Sequence, residues 1–333
     1  MTLFEAHHLV HWSREVPVRL PRLATASLAM AVPLTYGVAT HHLPQATLTA
    51  LGALATTARP AGPAVDGRPG VRLVGTALVV TAAAYLGALV GGHGWASAVA
   101  IVALAALAAV VGGLSRWAAD ATARFVMFLV IASGLGAADP LEVAKWFALG
   151  AAWSTVLILA TERRTQPEKA SPAYLVRRWW SKLHHWEAWR YPLVLAACLA
   201  PVEAIAVLWH QQNVHWIALA VVIVLRRRGN SLLRATQRCL GTCGGVLLGA
   251  ALILWVPPSW VVVAVVAILA GIRPLLKERN YTAYATVMTP LLVLLMDLGR
   301  TPHLSTVGYR LVDTIIGCTI AILPSVLRRT HVG

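Results

Sequence analysis

Charge is what this chain has least of. Asp, Glu, Lys and Arg make up only 12% of its 333 residues, and just 13 residues are acidic. A soluble domain carries about 25% charge, so these few ionisable groups cannot cover a water-exposed surface, which excludes a soluble globule. The four cysteines, Cys198, Cys239, Cys243 and Cys318, all lie in apolar runs. They are too isolated from other ligands for a metal site and give no disulfide framework; even Cys239 and Cys243, one turn apart, read as small packing residues. The chain has neither a Gly-x-x-x-x-Gly-Lys-Ser/Thr loop to cradle phosphates nor a His-Glu-x-x-His zinc pair. No polar stretch is long enough for a catalytic domain, and no acid, base and nucleophile converge. An enzyme, a cofactor and a metal are therefore not expected.

What is present is apolar sequence. Hydrophobic residues make up 58% and the mean hydropathy is +0.69, which points to an all-α integral membrane protein. Apolar runs and their breakers give about twelve spans: 22–40, 43–58, 71–91, 95–114, 123–137 and 143–161, then 191–209, 213–226, 238–256, 259–272, 281–298 and 307–327. The net charge of +15 does not point to nucleic acid, because the basic residues fall between spans and not along one stripe. With the amino terminus inside, 25 of the 28 Lys and Arg residues are cytoplasmic, and only Lys145, Arg300 and Arg310 fall outside. Both termini are then expected in the cytoplasm, and the first twenty residues are not expected to be a cleaved leader. Trp95, Trp146, Trp209, Trp216, Trp255 and Trp260 fall near the outer interface and read as an anchoring belt, with Trp153 alone in mid-span.

The chain is also written twice. Arg72-Leu-Val-Gly75-Thr76 returns as Arg238-Cys-Leu-Gly241-Thr242 after 166 residues (238 − 72). Pro33 returns as Pro201 (201 − 33 = 168), and Arg163-Arg164 as Arg328-Arg329 (328 − 163 = 165). Six spans restore the chain to the same side, so the expected architecture is two parallel six-helix repeats, 1–161 and 191–333. Between them 162–190 is a cytoplasmic linker. Its Leu175, Trp179, Leu183 and Trp186 form the apolar face of an amphipathic helix on the inner leaflet, opposite Arg177, Arg178, Lys182 and His185.

Several constellations are candidates for function, each beside a plainer reading. Arg72 and Arg238, with Thr76 and Thr242, suggest a paired cationic mouth for an anion; the alternative is orientation-setting arginines with glycine packing. Pro33 and Pro201 lie in mid-run and predict helix kinks. Two residues on, Thr35 is matched by Glu203, an ionisable group deep in the span and a candidate for proton coupling, or a paired structural glutamate. Arg310 and Asp313, with Asp297 and Arg300 before them, suggest an outer gate or a local salt bridge; Glu142 and Lys145 occupy the matching stretch of the first half. The second span of each half is short, and His41-His42 and His210-Gln-Gln-Asn213 precede those spans; short spans at matched places point to a transport site. Tyr281 and Tyr284 with Thr282, Thr286 and Thr289 put hydroxyls along one helix, for a cavity or for interhelical bonds.

The paired Arg-x-x-Gly-Thr helices, His215-Trp-Ile-Ala-Leu219 running into Arg226, the Tyr281–Thr289 helix, and Arg310-x-x-Asp313-Thr314 with Gly317 resemble the fusaric acid resistance protein family. That family includes aromatic acid exporters and is related to plant aluminium-activated malate channels. The resemblance is clearest over about 190–330. It implies export of small organic anions, often aromatic carboxylates, through a passage between two six-helix units. Many members also carry a large cytoplasmic domain, and the 162–190 linker is all that stands in its place here. The stretch Gly62–Gly70 partly resembles the loop between spans two and three of major facilitator transporters, an alternative, with its basic and glycine spacing off by one. The expectation is a multi-pass plasma-membrane exporter of organic anions driven by the proton gradient, with the substrate and the bilayer as its partners. A passive anion channel and a non-transporting scaffold are the other readings.

Overall fold

The computed structural model describes Trp12 and residues 19–57, 69–135, 139–161, 172–209, 215–225, 231–255, 258–296 and 304–330. Among them there are helices and no strand: α1 (Leu20–Thr40), α2 (Leu43–Thr57), α3 (Pro69–Val90), α4 (Trp95–Val111), α5 (Arg116–Ser133), α6 (Pro140–Thr161), α7 (Pro172–Leu183), α8 (Trp186–Trp209), α9 (His215–Val224), α10 (Ser231–Leu254), α11 (Ser259–Arg279), α12 (Tyr281–Met296) and α13 (Leu304–Thr330). Five are long and apolar enough to cross a bilayer: α1, residues 70–90 of α3, α6, α8 and α11. The chain is thus a multi-pass helical membrane protein. Helices suit this sequence because a spanning segment must satisfy its own backbone polar groups.

Local chemistry sets several ends. Ser115 caps α5, its hydroxyl accepting from the Ala118 amide at 3.0 Å. His41 closes α1 at φ 61°, a left-handed conformation that lets α2 start almost at once. Gly92 and Gly94, also at positive φ, turn α3 into α4. Asn280 serves two helices: its amide donates to Leu276 O at 2.8 Å to end α11, and its Oδ1 accepts from the Ala283 amide at 2.9 Å to begin α12.

Within the first set of helices, α2 packs along α6, α3 along α5 and α6, α1 along α2, and α4 along α5. The second set pairs position for position: α9 along α13, α10 along α12 and α13, α8 along α9, and α11 along α12. Across the sets, α1 packs on α11 and α4 on α8. One apolar core from Met30 to Ala321 runs through both. Glycines permit matched close approaches. A Cβ on Gly150 of α6 would run into the Thr49 carbonyl of α2, and one on Gly317 of α13 would lie 2.6 Å from the Ile217 carbonyl of α9.

The short helices α2 and α9 have 15 and 10 residues, or roughly 22 and 15 Å at 1.5 Å per residue, against a hydrocarbon core of about 30 Å. Both are buried along nearly their whole length, as helices apolar on every side should be. They are central pieces, wrapped by longer neighbours.

Three expectations change. The span expected to stop at 272 continues as helix to Arg279, because the charge of Arg273 is met inside the protein. Trp216 is no belt residue: it is 5% exposed, whereas Trp95, Trp209, Trp255 and Trp260 are all exposed. Finally, the Leu175–Trp179–Leu183 face of α7 is turned towards the protein and half-buried. The Trp179 indole N–H donates to Val110 O at the end of α4 at 3.0 Å, so a hydrogen bond to an end carbonyl, not lipid alone, orients that face. Trp186, the fourth residue expected there, is exposed at the start of α8.

Candidate functional site

Buried charge is costly unless it is paired or hydrogen-bonded, so its location is informative. Among the described residues the buried charged side chains are Glu203, Arg238, Arg273, Arg310 and Asp313, all from the second set of helices. The first-half counterparts differ. Thr35, matching Glu203, is exposed, and Arg72, matching Arg238, is half-buried. Lys145, matching Arg310, sits in the open, bonded to Glu142 at 3.0 Å and 5.2 Å from the centre of the Trp146 ring.

The two Arg-x-x-Gly-Thr copies show the same contrast. In α3 the Thr76 hydroxyl donates back to Arg72 O at 2.8 Å and accepts from the Trp117 indole at 3.4 Å. Trp117 lies against Gly75, where an added Cβ would be 2.9 Å from its ring. In α10, Gly241 packs instead on the backbone of α12 at Thr282 and on Ala285. At shifts of 165 or 166 residues the position of Trp117 is taken by Thr282 or Ala283, neither of which carries a ring donor. Arg238 Nε and Thr242 Oγ1, one helical turn apart, are buried and have no hydrogen-bond partner among the described residues. Tyr281 and Tyr284 stand at the start of α12 with ring centres 5.8 Å apart, on the helix that packs along α10. The structure does not bring Arg72 and Arg238 onto adjoining helices: α3 and α10 each pack on the later helices of their own set.

At the other end of the second set, the Arg310 guanidinium of α13 lies 3.0 Å from the centre of the Trp216 ring of α9. The His215 ring is 4.7 Å from that of Trp216, against Gly134 just past α5, where a Cβ would be 2.6 Å from its Nδ1. Asp313 Oδ2 and His215 Nε2 have no hydrogen-bond partner among the described residues. Arg310 therefore reaches across to α9, not only along its own helix as an i, i+3 partner of Asp313. Asp297 and Arg300 lie outside the described residues, as do residues 210–214. Glu203 is buried on α8, seventeen residues after its start and six before its end (203 − 186 and 209 − 203), roughly 25 and 9 Å along the axis. Pro33 and Pro201 both sit inside continuous helices, α1 and α8.

Sequence reasoning missed Arg273, which it placed in a cytoplasmic segment. It is the largest fully buried side chain, 2% exposed. Its Nη2 donates to Thr57 Oγ1 at 2.6 Å and its Nη1 to Leu54 O at 3.3 Å. An arginine of the second set thus caps the C-terminus of α2 in the first, where the helix leaves its last carbonyls unsatisfied and partly negative. Arg22 of α1 and Glu278 of α11 form an ion pair across the same two sets. The local signal points the other way: Arg273-Pro274 reads as a helix stop, yet Pro274 lies inside α11. The equivalent end of α9 is capped differently, by the Tyr191 hydroxyl donating to Leu225 O at 2.9 Å. No cluster of three metal-ligating side chains occurs among the described residues.

Residues 195–323 match the family model described as fusaric acid resistance protein-like. The matched stretch contains the five charges buried among the described residues, from Glu203 to Asp313, and also Thr242 and Arg238 Nε, which have no hydrogen-bond partner among them. The resemblance seen in the sequence motifs thus coincides with the part of the fold that buries polar chemistry. No curated protein and no solved structure gives a significant match to the chain.

Proposed function

We propose that this protein is a membrane transporter that exports small organic anions, and that the second half carries the chemistry. The observation that carries the reading is the asymmetry between the threonines of the two Arg-x-x-Gly-Thr copies. In the first, Thr76 accepts from the Trp117 indole; in the second, Thr242 Oγ1, with Arg238 Nε one turn before it, is buried without a hydrogen-bond partner among the described residues. A cation and a hydroxyl left so inside a membrane protein are donors waiting for an oxygen, and a carboxylate supplies two. Three buried arginines against two buried acids also favour an anionic cargo, and the fusaric acid resistance-like match over 195–323 suits a resistance or efflux role.

In this reading the chain forms twelve spans in two parallel six-helix units, 1–161 and 191–333, joined by 162–190, with both termini in the cytoplasm. Support comes from the position-for-position helix pairings of the two sets. Arg72 and Thr76 hold the first unit, Arg238 and Thr242 receive the anion, and Tyr281 and Tyr284 flank it. Glu203 carries the coupling proton, and Arg310 and Asp313, with Asp297, form the outer gate.

The test is flux of a panel of weak organic acids in proteoliposomes, with and without an imposed pH gradient. Arg238→Gln and Thr242→Val are expected to raise KM at least tenfold, while Thr76→Val changes it less than threefold. Glu203→Gln should leave downhill exchange intact and abolish the response to the gradient. Unchanged KM in both α10 variants at normal protein levels would sink the site assignment. Wild-type flux indifferent to the gradient would reduce the protein to a passive channel.

A further inference from the structure

We infer that the elbow formed by α7 and the start of α8 is a docking surface for anionic phospholipid headgroups. Two indole hydrogen bonds fix its place. Trp179 donates to Val110 O, within the last turn of α4, so α7 is held at the level where a membrane helix ends. Trp189 donates to Leu183 O at 2.8 Å, locking the bend into α8, which is long and apolar enough to cross the bilayer. The helix is therefore seated where headgroups are, by contacts that need no lipid.

What α7 then presents outward is specific in composition. Leu175, Trp179 and Leu183 face the protein and are half-buried. Arg177, Arg178 and Lys182 are exposed, as is Tyr174 one turn before the arginines; at 3.6 residues per turn Arg178 and Lys182 share one flank of that face and Arg177 lies behind it. Val176 and Trp180, one turn apart, form an exposed apolar edge on the other flank, next to Arg177 and across the helix from Arg178 and Lys182. Residues 172–185 contain no acidic residue; the one acid of the elbow, Glu187, is exposed in the first turn of α8, past the bend. Cations flanked by an indole and a phenol at a membrane boundary complement a phosphodiester above and acyl chains below. A soluble acidic partner would leave Val176 and Trp180 against water, which is why the lipid is the occupant the surface fits.

The experiment is native mass spectrometry of the full-length protein released from detergent with phosphatidylglycerol or phosphatidylcholine added. Each cation at an anionic surface is worth roughly a fivefold preference, so three acting together should favour phosphatidylglycerol by at least about tenfold even when partly screened. The R177Q/R178Q/K182Q variant is expected to bring the two lipids to near parity. Lys145→Gln, an exposed cation on α6, should leave the preference untouched. Trp179→Phe, which keeps a ring and removes the donor to Val110, should lower it part-way. If the triple variant is not monodisperse, Arg178→Gln alone is read, with a drop of about fivefold expected. Equal retention of both lipids by the wild type, an undiminished preference in the glutamine variants, or displacement of phosphatidylglycerol by millimolar inorganic phosphate would each overturn the inference.

Discussion

Replacing Arg273 by methionine is expected to loosen the joint between the two sets of helices at one end of the molecule. The guanidinium makes a short bond to Thr57 Oγ1, 2.6 Å, and a long one to Leu54 O, 3.3 Å. Hydrogen bonds from a charged donor contribute about 1.5–3 kcal/mol each, and the long bond belongs at the low end. A cation at a helix C-terminus adds about 0.3–1 kcal/mol, up to ~2 where partly buried. Against this, methionine removes the cost of keeping a charge fully buried, which offsets part of the loss. A net destabilisation of about 2–3 kcal/mol is expected. Because that figure mixes gains and losses, the decisive measurement is a double-mutant cycle with Thr57→Val in a reversible denaturing-detergent titration. Thr57 also donates to Ala53 O at 3.0 Å and Leu54 O at 3.2 Å, and the cycle cancels those bonds. A coupling of about 1.5 kcal/mol or more is expected; additivity within about 0.5 kcal/mol would refute the claim that Arg273 holds α2 through its C-terminal end.

Two further outcomes follow from the packing. Gly150→Ala puts a methyl group against the Thr49 carbonyl, where backbone, not a flexible side chain, must give way; a loss of about 1–3 kcal/mol should appear as a lower yield of monodisperse protein and a lower Tm. Gly308→Ala, whose added methyl meets nothing within 4 Å among the described residues, is the neutral control. Trp216→Leu removes the ring under Arg310 and should cost about 2 kcal/mol for a desolvated cation–π contact in the same titration, with Trp216→Phe recovering part of it; equal behaviour of Leu and Phe would show that only volume matters there.

Much of the architecture was legible because membrane burial imposes simple rules. Long apolar runs became helices, most within a few residues of the expected limits. The two short helices, α2 and α9, sit where the matched short runs placed them. The candidate site was legible in part. Arg238, Thr242, Glu203, Arg310 and Asp313 were singled out, and all are buried. The partners of these groups were not legible. Nothing local to Arg310 announces that its guanidinium lies on Trp216, ninety-four residues away (310 − 216). Reading Trp216 as a belt residue failed because interfacial and buried tryptophans share the same sequence context, an apolar run with a polar flank. Arg273 was misread for a related reason: a basic residue ending an apolar run usually faces water, and only the carbonyl end of α2 supplies the exception.

The sequence by itself determined that this is a helical membrane protein with an internally repeated pattern, because hydropathy and repetition are properties of the chain and need no folding to exist. Only the tertiary structure decided which copy gives its buried threonine a donor. Arg72 and Arg238 stand in the same motif, yet Trp117 donates to Thr76 and, among the described residues, no equivalent donor reaches Thr242. A side chain's environment is set by what other helices bring to it, and those helices lie forty or more residues away in sequence.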